Sequence, residues 1–466
     1  MGVPGQEYFA GTHFNPQITW WDEAPAVIDY FKRCQHLAQQ GRFVADMVHY
    51  YGDHIPNVFG RKGHDPAGAL PGYDYDVLSE ELLLSALEVN DGRLVLPSGM
   101  EYRVLSLPDH GVLSLGAMER IDALVRAGAT VLGPKPLKMV SLEGGAEGRK
   151  RFHQLADGLW GTDDAAKDGR KTRTIGKGRV AWGMTADELL RADGVAPDVA
   201  ITLANGATAP DVDWIHYRIG DADVYFVAEL AGKPKQVDVV CRVAGRLPEL
   251  WNAVDGSIRE ATTFSIADGR TRVPLKLNPY DSHFLVFRKR TAESERELGP
   301  NQPTWRELQS IAGPWQVDFD PNWGGPKEPA DFQKLTDWRE HVEPGIKHYS
   351  GKAVYRTKFQ LDEVPEGKPL ALELGDVRDV GIARVKLGGV DLGTVWRPPF
   401  RVDISKAVRP GENELEVTVV NSWRNRLIGD QQLPPEQRRT KTNIRVRNWK
   451  LEPSGLLGPV RILLPE

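Results

Sequence analysis

Gly11-Thr12-His13-Phe14-Asn15-Pro16-Gln17-Ile18-Thr19-Trp20-Trp21 is the stretch from which the rest of the chain is read. It sets an imidazole, an amide, a hydroxyl and two indoles in a segment punctuated by Gly and Pro, which is loop chemistry rather than core periodicity. Paired indoles offer flat apolar faces and N–H donors, while His13 and Asn15 offer directional hydrogen bonds. That mixture suits a polyhydroxylated ligand, stacked on its rings and bonded hydroxyl by hydroxyl. The alternative is architectural: Trp20 and Trp21 close the base of the next helix and His13 caps a backbone group.

Outward from this segment, Val27, Tyr30, Phe31, Cys34, Leu37 and Ala38 fall at helical spacing over 22–40, with Pro25 in the first turn and Gly41 past the end. Residues 43–51 form a β-branched and aromatic run of strand length. A polar loop, 52–76, follows and contains Asp53, His54, Asp74 and Asp76. Loops of that length are uncommon without a task, although Asp76 is also placed to cap a helix. Beyond it helices predicted at 80–87, 115–127 and 149–159 alternate with strands at 94–97, 102–107, 130–133 and 180–182. Ser114 and Gly128 serve as cap and stop of the second helix. Such alternation argues for a mainly parallel sheet of flavodoxin or amidotransferase type, whose ligands gather at the carboxyl ends of the strands.

Two motifs in this region fail on context. Gly176-Lys177-Gly178-Arg179-Val180-Ala181 precedes a strand instead of joining strand to helix, so it reads as a turn and not a phosphate loop. Cys34 lies in the apolar stripe of a helix, which disfavours an amidotransferase nucleophile.

From about residue 214 the period changes to two. Val237, Val239, Cys241 and Val243 alternate with polar neighbours, and strand-like runs recur to residue 287, predicting an antiparallel β-sandwich. The charged run 289–297 reads as a linker. The last segment is a second all-β unit, with Leu370, Leu372 and Leu374 on one face, a Gly388-Gly389 hairpin turn, and Leu415, Val417 and Val419 on another inward set; a jelly roll closes it most simply. Asp318 to Asn322 resembles a calcium loop only briefly, because Trp323 stands where the tight-turn glycine belongs.

The totals bound the function class. At 466 residues the chain divides into about three domains of ordinary size. Lys and Arg number 59 against 64 Asp and Glu, a formal charge of −5 with both signs mixed, so no basic face for nucleic acid is implied. No apolar run approaches a membrane span, and the first residues show no signal peptide. Cys34 and Cys241 fall in different predicted domains and read as buried thiols.

The segments Gly11 to Asn15 with Thr19-Trp20-Trp21, then Tyr73-Asp74-Tyr75-Asp76, Leu94-Val95-Leu96-Pro97, Gly176 to Val180 and Pro248-Glu249-Leu250-Trp251, resemble in order and spacing the carboxy-terminal half of family-106 glycoside hydrolases, the multidomain α-L-rhamnosidases. The final segment, with Gly313-Pro314-Trp315, Tyr355-Arg356, Trp396-Arg397-Pro398 and Gly411-Glu412-Asn413, is similar to the galactose-binding-like sandwich of several β-galactosidase-type enzymes. The resemblance implies a multidomain α/β plus all-β chain. Residues 1–41 would be the end of a catalytic (β/α)8 barrel, 42–195 a flavodoxin/amidotransferase-like parallel α/β domain, 196–292 an antiparallel β-sandwich, and 293–466 a galactose-binding-like jelly roll.

It further implies a glycosidase acting on a rhamnosyl glycoside or polysaccharide, periplasmic or secreted in its full-length form. The acid and base that inverting hydrolysis requires would lie upstream of Gly11, outside this chain. His13, Asn15 and Trp20 would then touch sugar from the barrel rim, with Asp53, Asp74 and Asp76 approaching from the neighbouring domain. Trp396, Arg397, Asn421, Trp423 and Asn425 are a possible sugar platform on the last sandwich. Calcium is implied by the resemblance alone, and no other cofactor is evident. One departure is Glu229, where the resemblance leads to an Asn. The competing class is a non-catalytic carbohydrate-binding or scaffolding protein.

Overall fold

Short apolar strands between helices build a six-stranded sheet in the order Lys171–Ile175, Gly178–Trp182, Thr130–Leu132, Val104–Ser106, Met47–Tyr50, Tyr75–Leu78. The computed structural model describes residues 3–6, 14–53, 62–162 and 171–466. All neighbours in this sheet run parallel except the edge hairpin formed by the first two. Alternation along each strand sends side chains to opposite faces. Val48, Tyr50, Leu105, Val131 and Val180 pack under helices Leu115–Ala127 and Gly145–Trp160. Met47, Tyr75, Val104, Leu132 and Ala181 pack against Leu189 and Leu190 of helix Ala186–Ala192.

Capping chemistry sets the helix ends. Ser114 Oγ accepts the Ala117 N–H at 3.1 Å, and Gly128, at φ +129°, returns its N–H to the Leu124 and Val125 carbonyls. Thr185 and Glu188 form a reciprocal capping box. Helix Glu80–Ser85 is capped by Ser79, so the predicted capping role of Asp76 is corrected: Asp76 lies within strand Tyr75–Leu78.

The Gly176-Lys177 pair makes the turn of the edge hairpin, and the following glycine answers to a close approach. A Cβ on Gly178 would stand 2.2 Å from the Val125 carbonyl oxygen and 2.3 Å from that of Ala129, both backbone atoms that cannot swing away. Gly178→Ala is therefore expected to cost about 3 kcal/mol or more, read as a lowered midpoint in thermal unfolding.

Two predicted strands depart from their expected places. The 43–51 run splits, because Arg42–Phe43 pairs with Val212–Ile219 in the neighbouring sandwich while Met47–Tyr50 enters the parallel sheet. The 94–97 run does not join that sheet. Arg93–Val95 forms a small antiparallel sheet with Glu88–Asn90 and Glu101–Tyr102.

The following unit is two antiparallel sheets face to face, one ordered Val199–Leu203, Lys235–Cys241, Arg270–Leu277, Thr263–Ala267, Glu295–Glu297, the other Ile258–Glu260, Arg246–Trp251, Ser282–Arg290, Ala222–Glu229, Val212–Ile219, Arg42–Phe43. Val237, Val239, Cys241, Leu250, Val273 and Leu285 fill the space between them. The outer face of the second sheet receives Tyr30, Cys34 and Leu37 of helix Ala24–Gln40, and burial pushes the Cys34 thiol up. Both cysteines are free.

The charged run predicted as a linker is in part an edge strand: Glu295–Glu297 pairs with Thr263–Ser265, and Arg296 bonds Glu293 and Glu260. Its charge marks a solvated sheet edge. Asn301, buried, extends this unit further by accepting the Thr262 and Thr263 N–H groups.

The last unit packs a six-stranded sheet (Ala330–Phe332, Trp315–Phe319, Lys352–Leu361, Gly411–Val420, Ile382–Leu387, Val390–Val395) on a four-stranded one (Trp305–Ile311, Val460–Pro465, Ala371–Glu373, Arg401–Asp403). Leu370, Leu372, Leu374, Leu415, Val417 and Val419 are all in its core. Asp320 caps a 3-10 turn through Asn322 N–H and Asp318 pairs with Arg356, so 318–322 is a strand end and turn. Helix Arg424–Gln431 was not foreseen.

Candidate functional site

Of the opening stretch, Gly11 to His13 lie outside the described residues. From Phe14 onward the segment is a chain of turns. Asn15 Oδ1 accepts the Gln17 N–H at 2.8 Å, Asn15 O accepts Ile18 N–H at 3.1 Å, and a 3-10 turn, Trp21–Glu23, leads into helix Ala24–Gln40. The turns gather three rings. Phe14 stands 5.5 Å from Trp20 and 5.2 Å from Trp21, centroid to centroid, tilted by 51° and 53°. Phe14, Asn15 and Trp21 are exposed and Trp20 is half-buried. An aromatic shelf with a carboxamide beside it is thus presented outward.

The shelf is anchored from the last domain. Trp423 Nε1 donates to Gln17 O at 2.6 Å, Trp323 packs edge-on against Trp423 at 4.6 Å, and Lys352 Nζ reaches Asp22 at 2.7 Å and Glu23 at 3.1 Å. Glu23 is 4% exposed and its Oε2 accepts no hydrogen bond among the described residues. Sequence reasoning missed Glu23, Trp323 and Lys352. Only Glu23 had a local signal, its place two residues after the paired indoles.

The acidic residues predicted to approach this shelf do not converge. Asp53 accepts from the Tyr50 hydroxyl and the Ser114 N–H beyond the carboxyl end of the parallel sheet. Asp74, at the other end and over ~10 Å away at 3.3 Å per residue, is buried and pairs with Lys62 Nζ at 2.8 Å. Burial raises its carboxyl pKa. Lys62 also meets Asp213 at 3.2 Å and the Trp214 ring at 4.7 Å, so Asp74 serves the joint with the sandwich. Asp76 accepts Tyr102 Oη at 2.6 Å and the Val77 N–H at 2.8 Å. All three carboxylates have structural partners.

The platform predicted on the last sandwich is also corrected in part. Asn421 and Asn425 are fully buried and lock backbone: Asn421 accepts Gly351 N–H at 2.9 Å and donates to Tyr349 O at 2.8 Å, and Asn425 accepts Glu452 N–H at 2.8 Å and donates to Glu452 O at 2.9 Å. Trp396 and Arg397 do line cavities, one of about 690 Å3 shared with the first sandwich and one of about 470 Å3 with Asp379 and Glu452 in its wall. Asp379 Oδ2 accepts both Ser422 N–H and Oγ–H, and Glu452 pairs with Arg424 at 3.4 Å. Each carboxylate of the smaller cavity therefore already has a partner.

Glu229 is explained by its surroundings. Its carboxylate accepts N–H groups from Ala231, Gly232 and Tyr280 at 2.9, 2.8 and 3.0 Å and pairs with Lys235 Nζ at 2.6 Å. Against the burial that opposes charge, these donors bring its pKa down to about 2. Among the described residues no group of three His, Cys, Asp or Glu side chains is arranged to hold a metal, so no step is derived through calcium. No helix among them is long and apolar enough to cross a membrane.

The profile of a family described as alpha-L-rhamnosidase matches residues 2–266. A solved rhamnosidase from Novosphingobium sp. PP1Y superposes with a TM-score of 0.86 at 34% identity, covering 99% of this chain and 43% of that one. A protein of Formosa agariphila, provisionally named a beta-glucuronidase, is 23% identical over 97% of this chain and 58% of its own length. The chain thus spans about half the length of the relatives it matches.

Proposed function

We propose a function from one premise: this chain belongs to glycoside hydrolase family 106, the alpha-L-rhamnosidases. It contributes one wall and the supporting domains of an enzyme that hydrolyses rhamnosyl glycosides or polysaccharides. The observation that carries this reading is the exposed shelf of Phe14, Trp20 and Trp21 with the Asn15 carboxamide, held by the last domain through Trp423 and Lys352. Indole faces stack on the apolar face of a pyranose, and an amide bonds its hydroxyls in pairs. His13, beside the shelf in sequence, lies outside the described residues.

In this reading residues 1–41 end a (β/α)8 barrel and 42–195 form a flavodoxin/amidotransferase-like domain that has kept the fold without its chemistry. Residues 196–292 are the core of a β-sandwich and 293–466 a galactose-binding-like jelly roll. On this reading the acid and base come from polypeptide other than the described residues, in keeping with the structural partners held by Asp53, Asp74, Asp76, Asp379 and Glu452 and with the pairing of Glu23 to Lys352. Hydrolysis with inversion needs a free carboxylic acid and a carboxylate with room for water between them, roughly 6.5–9.5 Å apart.

The test is turnover of an aryl α-L-rhamnoside by this chain and by an amino-terminally extended form, side by side. The chain alone should release no more aglycone than its Trp20→Ala variant. In the extended form Trp20→Ala should lower kcat/KM about 10- to 100-fold, the loss of ~1.4–3 kcal/mol of ring stacking and positioning. Turnover by the chain alone at the extended form's rate would place the catalytic carboxylates within it and overturn the reading.

A further inference from the structure

The 690 Å3 cavity between the first sandwich and the last domain has a lining that the shelf and its chemistry do not use. Its size falls within the roughly 300–1,000 Å3 of small-ligand sites. Asn252, Asp255, Lys276, Asp281 and His283 come from the sandwich, Gln302 from the connection, and Trp305, Trp396, Arg397, Arg401 and Asp403 from the last domain.

The acceptors of this lining are already filled. Asp281 pairs with Arg397 Nη2 at 2.9 Å and accepts the Asn278 and Ser282 N–H groups. Asp255 accepts Ser257 N–H at 2.8 Å and Asn252 Nδ2 at 2.9 Å, and Asp403 accepts Ser405 N–H at 2.8 Å. The donors are filled only in part: Arg397 also gives Nη1 to Pro398 O at 3.2 Å and Arg401 gives Nη2 to Glu373 at 2.5 Å, but four donor atoms stay open. Arg397 Nε, Arg401 Nε, Gln302 Nε2 and His283 Nε2 are buried and bonded to no acceptor among the described residues.

His283 is only 8% exposed, and its Nε2 stands 3.5 Å from the nearest carboxylate oxygen, that of Asp281. Lys276 adds an exposed ammonium on the same wall. Buried donors in native proteins have acceptors, so a cluster of unfilled ones describes the partner it awaits. That partner is acceptor-rich, and the Lys276 ammonium favours a negative one. Two half-buried indoles, Trp305 and Trp396, supply the apolar faces; Arg401 lies 5.0 Å over Trp305, and Trp396 meets Tyr30 edge-on at 5.3 Å. Flat faces edged by open donors fit pyranoses, and the exposed Lys276 ammonium fits a carboxylate among them.

We infer that this cavity is a second carbohydrate-binding site, separate from the shelf, that takes a short glycan segment carrying a uronate. Lys276 faces the carboxylate, Arg397 Nε, Gln302 and His283 bond ring oxygens and hydroxyls, and Trp305 stacks on a sugar ring. The inference does not depend on rhamnosidase activity, and its failure would leave the shelf untouched.

The experiment is calorimetric titration of the full chain with trigalacturonate and trimannuronate, with the methyl ester of trigalacturonate as the neutral control and L-rhamnose as competitor. At least one uronate trimer should bind. Its methyl ester should bind about tenfold more weakly or worse, rhamnose should not displace it, and raised salt should weaken it. Lys276→Ala, Gln302→Ala and Trp305→Ala should each weaken binding about tenfold while leaving the thermal unfolding midpoint within a few degrees. Retention of affinity in all three folded variants, equal affinity for acid and ester, displacement by rhamnose, or no binding of either trimer at 10-millimolar order would overturn the site. Should Trp305→Ala unfold, the Lys276 and Gln302 variants decide alone.

Discussion

Glu229→Ala is expected to destabilise the first sandwich by about 3–5 kcal/mol, because five donors converge on a carboxylate that is 2% exposed. Removal would leave the N–H groups of Ala231, Gly232, Lys233 and Tyr280 without this acceptor at the end of strand Ala222–Glu229, and the Lys235 ammonium with Asp211 alone, 3.5 Å away. Glu229→Gln keeps the volume but turns an NH2 toward those N–H groups, so it should cost roughly 2–3 kcal/mol. An Asn, one methylene shorter, would not span the same donors.

The pH dependence follows from the sign of the shift. With a folded pKa near 2 against an ordinary 4.5, the stabilisation is complete above pH 4.5 and is lost as pH falls toward 2. In denaturant unfolding the gap between the native chain and Glu229→Gln should therefore be widest above pH 5 and close as pH approaches 2.5. A gap that stayed constant across that range would assign the stabilisation to shape and not to charge.

Periodicity made the layers of this chain legible, and it did so where one physical signal acted alone. The helix Leu115–Ala127 was read with both ends because Ser114 and Gly128 are local devices. The inward leucines and valines of the last domain were read because one face of each strand is dry. Residues 43–51 read as one strand because nothing local distinguishes a run that serves one sheet from a run that leaves one sheet and enters another. The charged stretch around Glu295 was misread as linker because an edge strand and a linker share composition.

The candidate site was legible only where its parts are contiguous. The ring cluster of Phe14, Trp20 and Trp21 lies within eight residues, and its indoles announced it. Its anchors, Trp423 and Lys352, are more than 300 residues away and carry no motif pointing back. The aspartates of the 52–76 loop looked functional because polar residues in a long loop are equivocal. Their roles depend on partners such as Lys62 and Tyr102, whose proximity is a property of the fold. The donor-rich cavity is the extreme case, since its lining comes from residues scattered between 250 and 403.

His216→Gln should be among the most damaging substitutions in the chain, costing about 3–5 kcal/mol, because it would leave two buried carboxylates facing a neutral group. The imidazole stands between Asp198, 2.8 Å from Nδ1, and Asp223, 3.1 Å from Nε2, and stacks on Tyr225 at 3.9 Å. The line of charge continues outward: Arg242 reaches Asp198 at 3.8 Å and Asp46 at 2.9 Å, and Arg103 reaches Asp46 at 2.8 Å, so the sandwich core is tied to the parallel sheet.

Burial opposes charge on His216, but the flanking carboxylates outweigh it and raise its pKa above the ordinary value, while Asp198 and Asp223 are lowered in turn by the imidazolium against their own burial. A raised histidine stabilises fully below its unfolded pKa of about 6.5 and loses that contribution as pH rises through the folded value. Native stability should therefore decline from pH 6.5 upward by as much as ~1.4 kcal/mol per pH unit until the ring deprotonates. The lowered aspartates contribute above about pH 3.9 and fail on the acid side. In urea unfolding at pH 6, 7.5 and 9, His216→Gln should begin less stable and lack the alkaline slope. A variant that kept the native slope would show that the proton taken up on folding is bound elsewhere. A native chain with no slope would mean that the imidazole is neutral between its two aspartates.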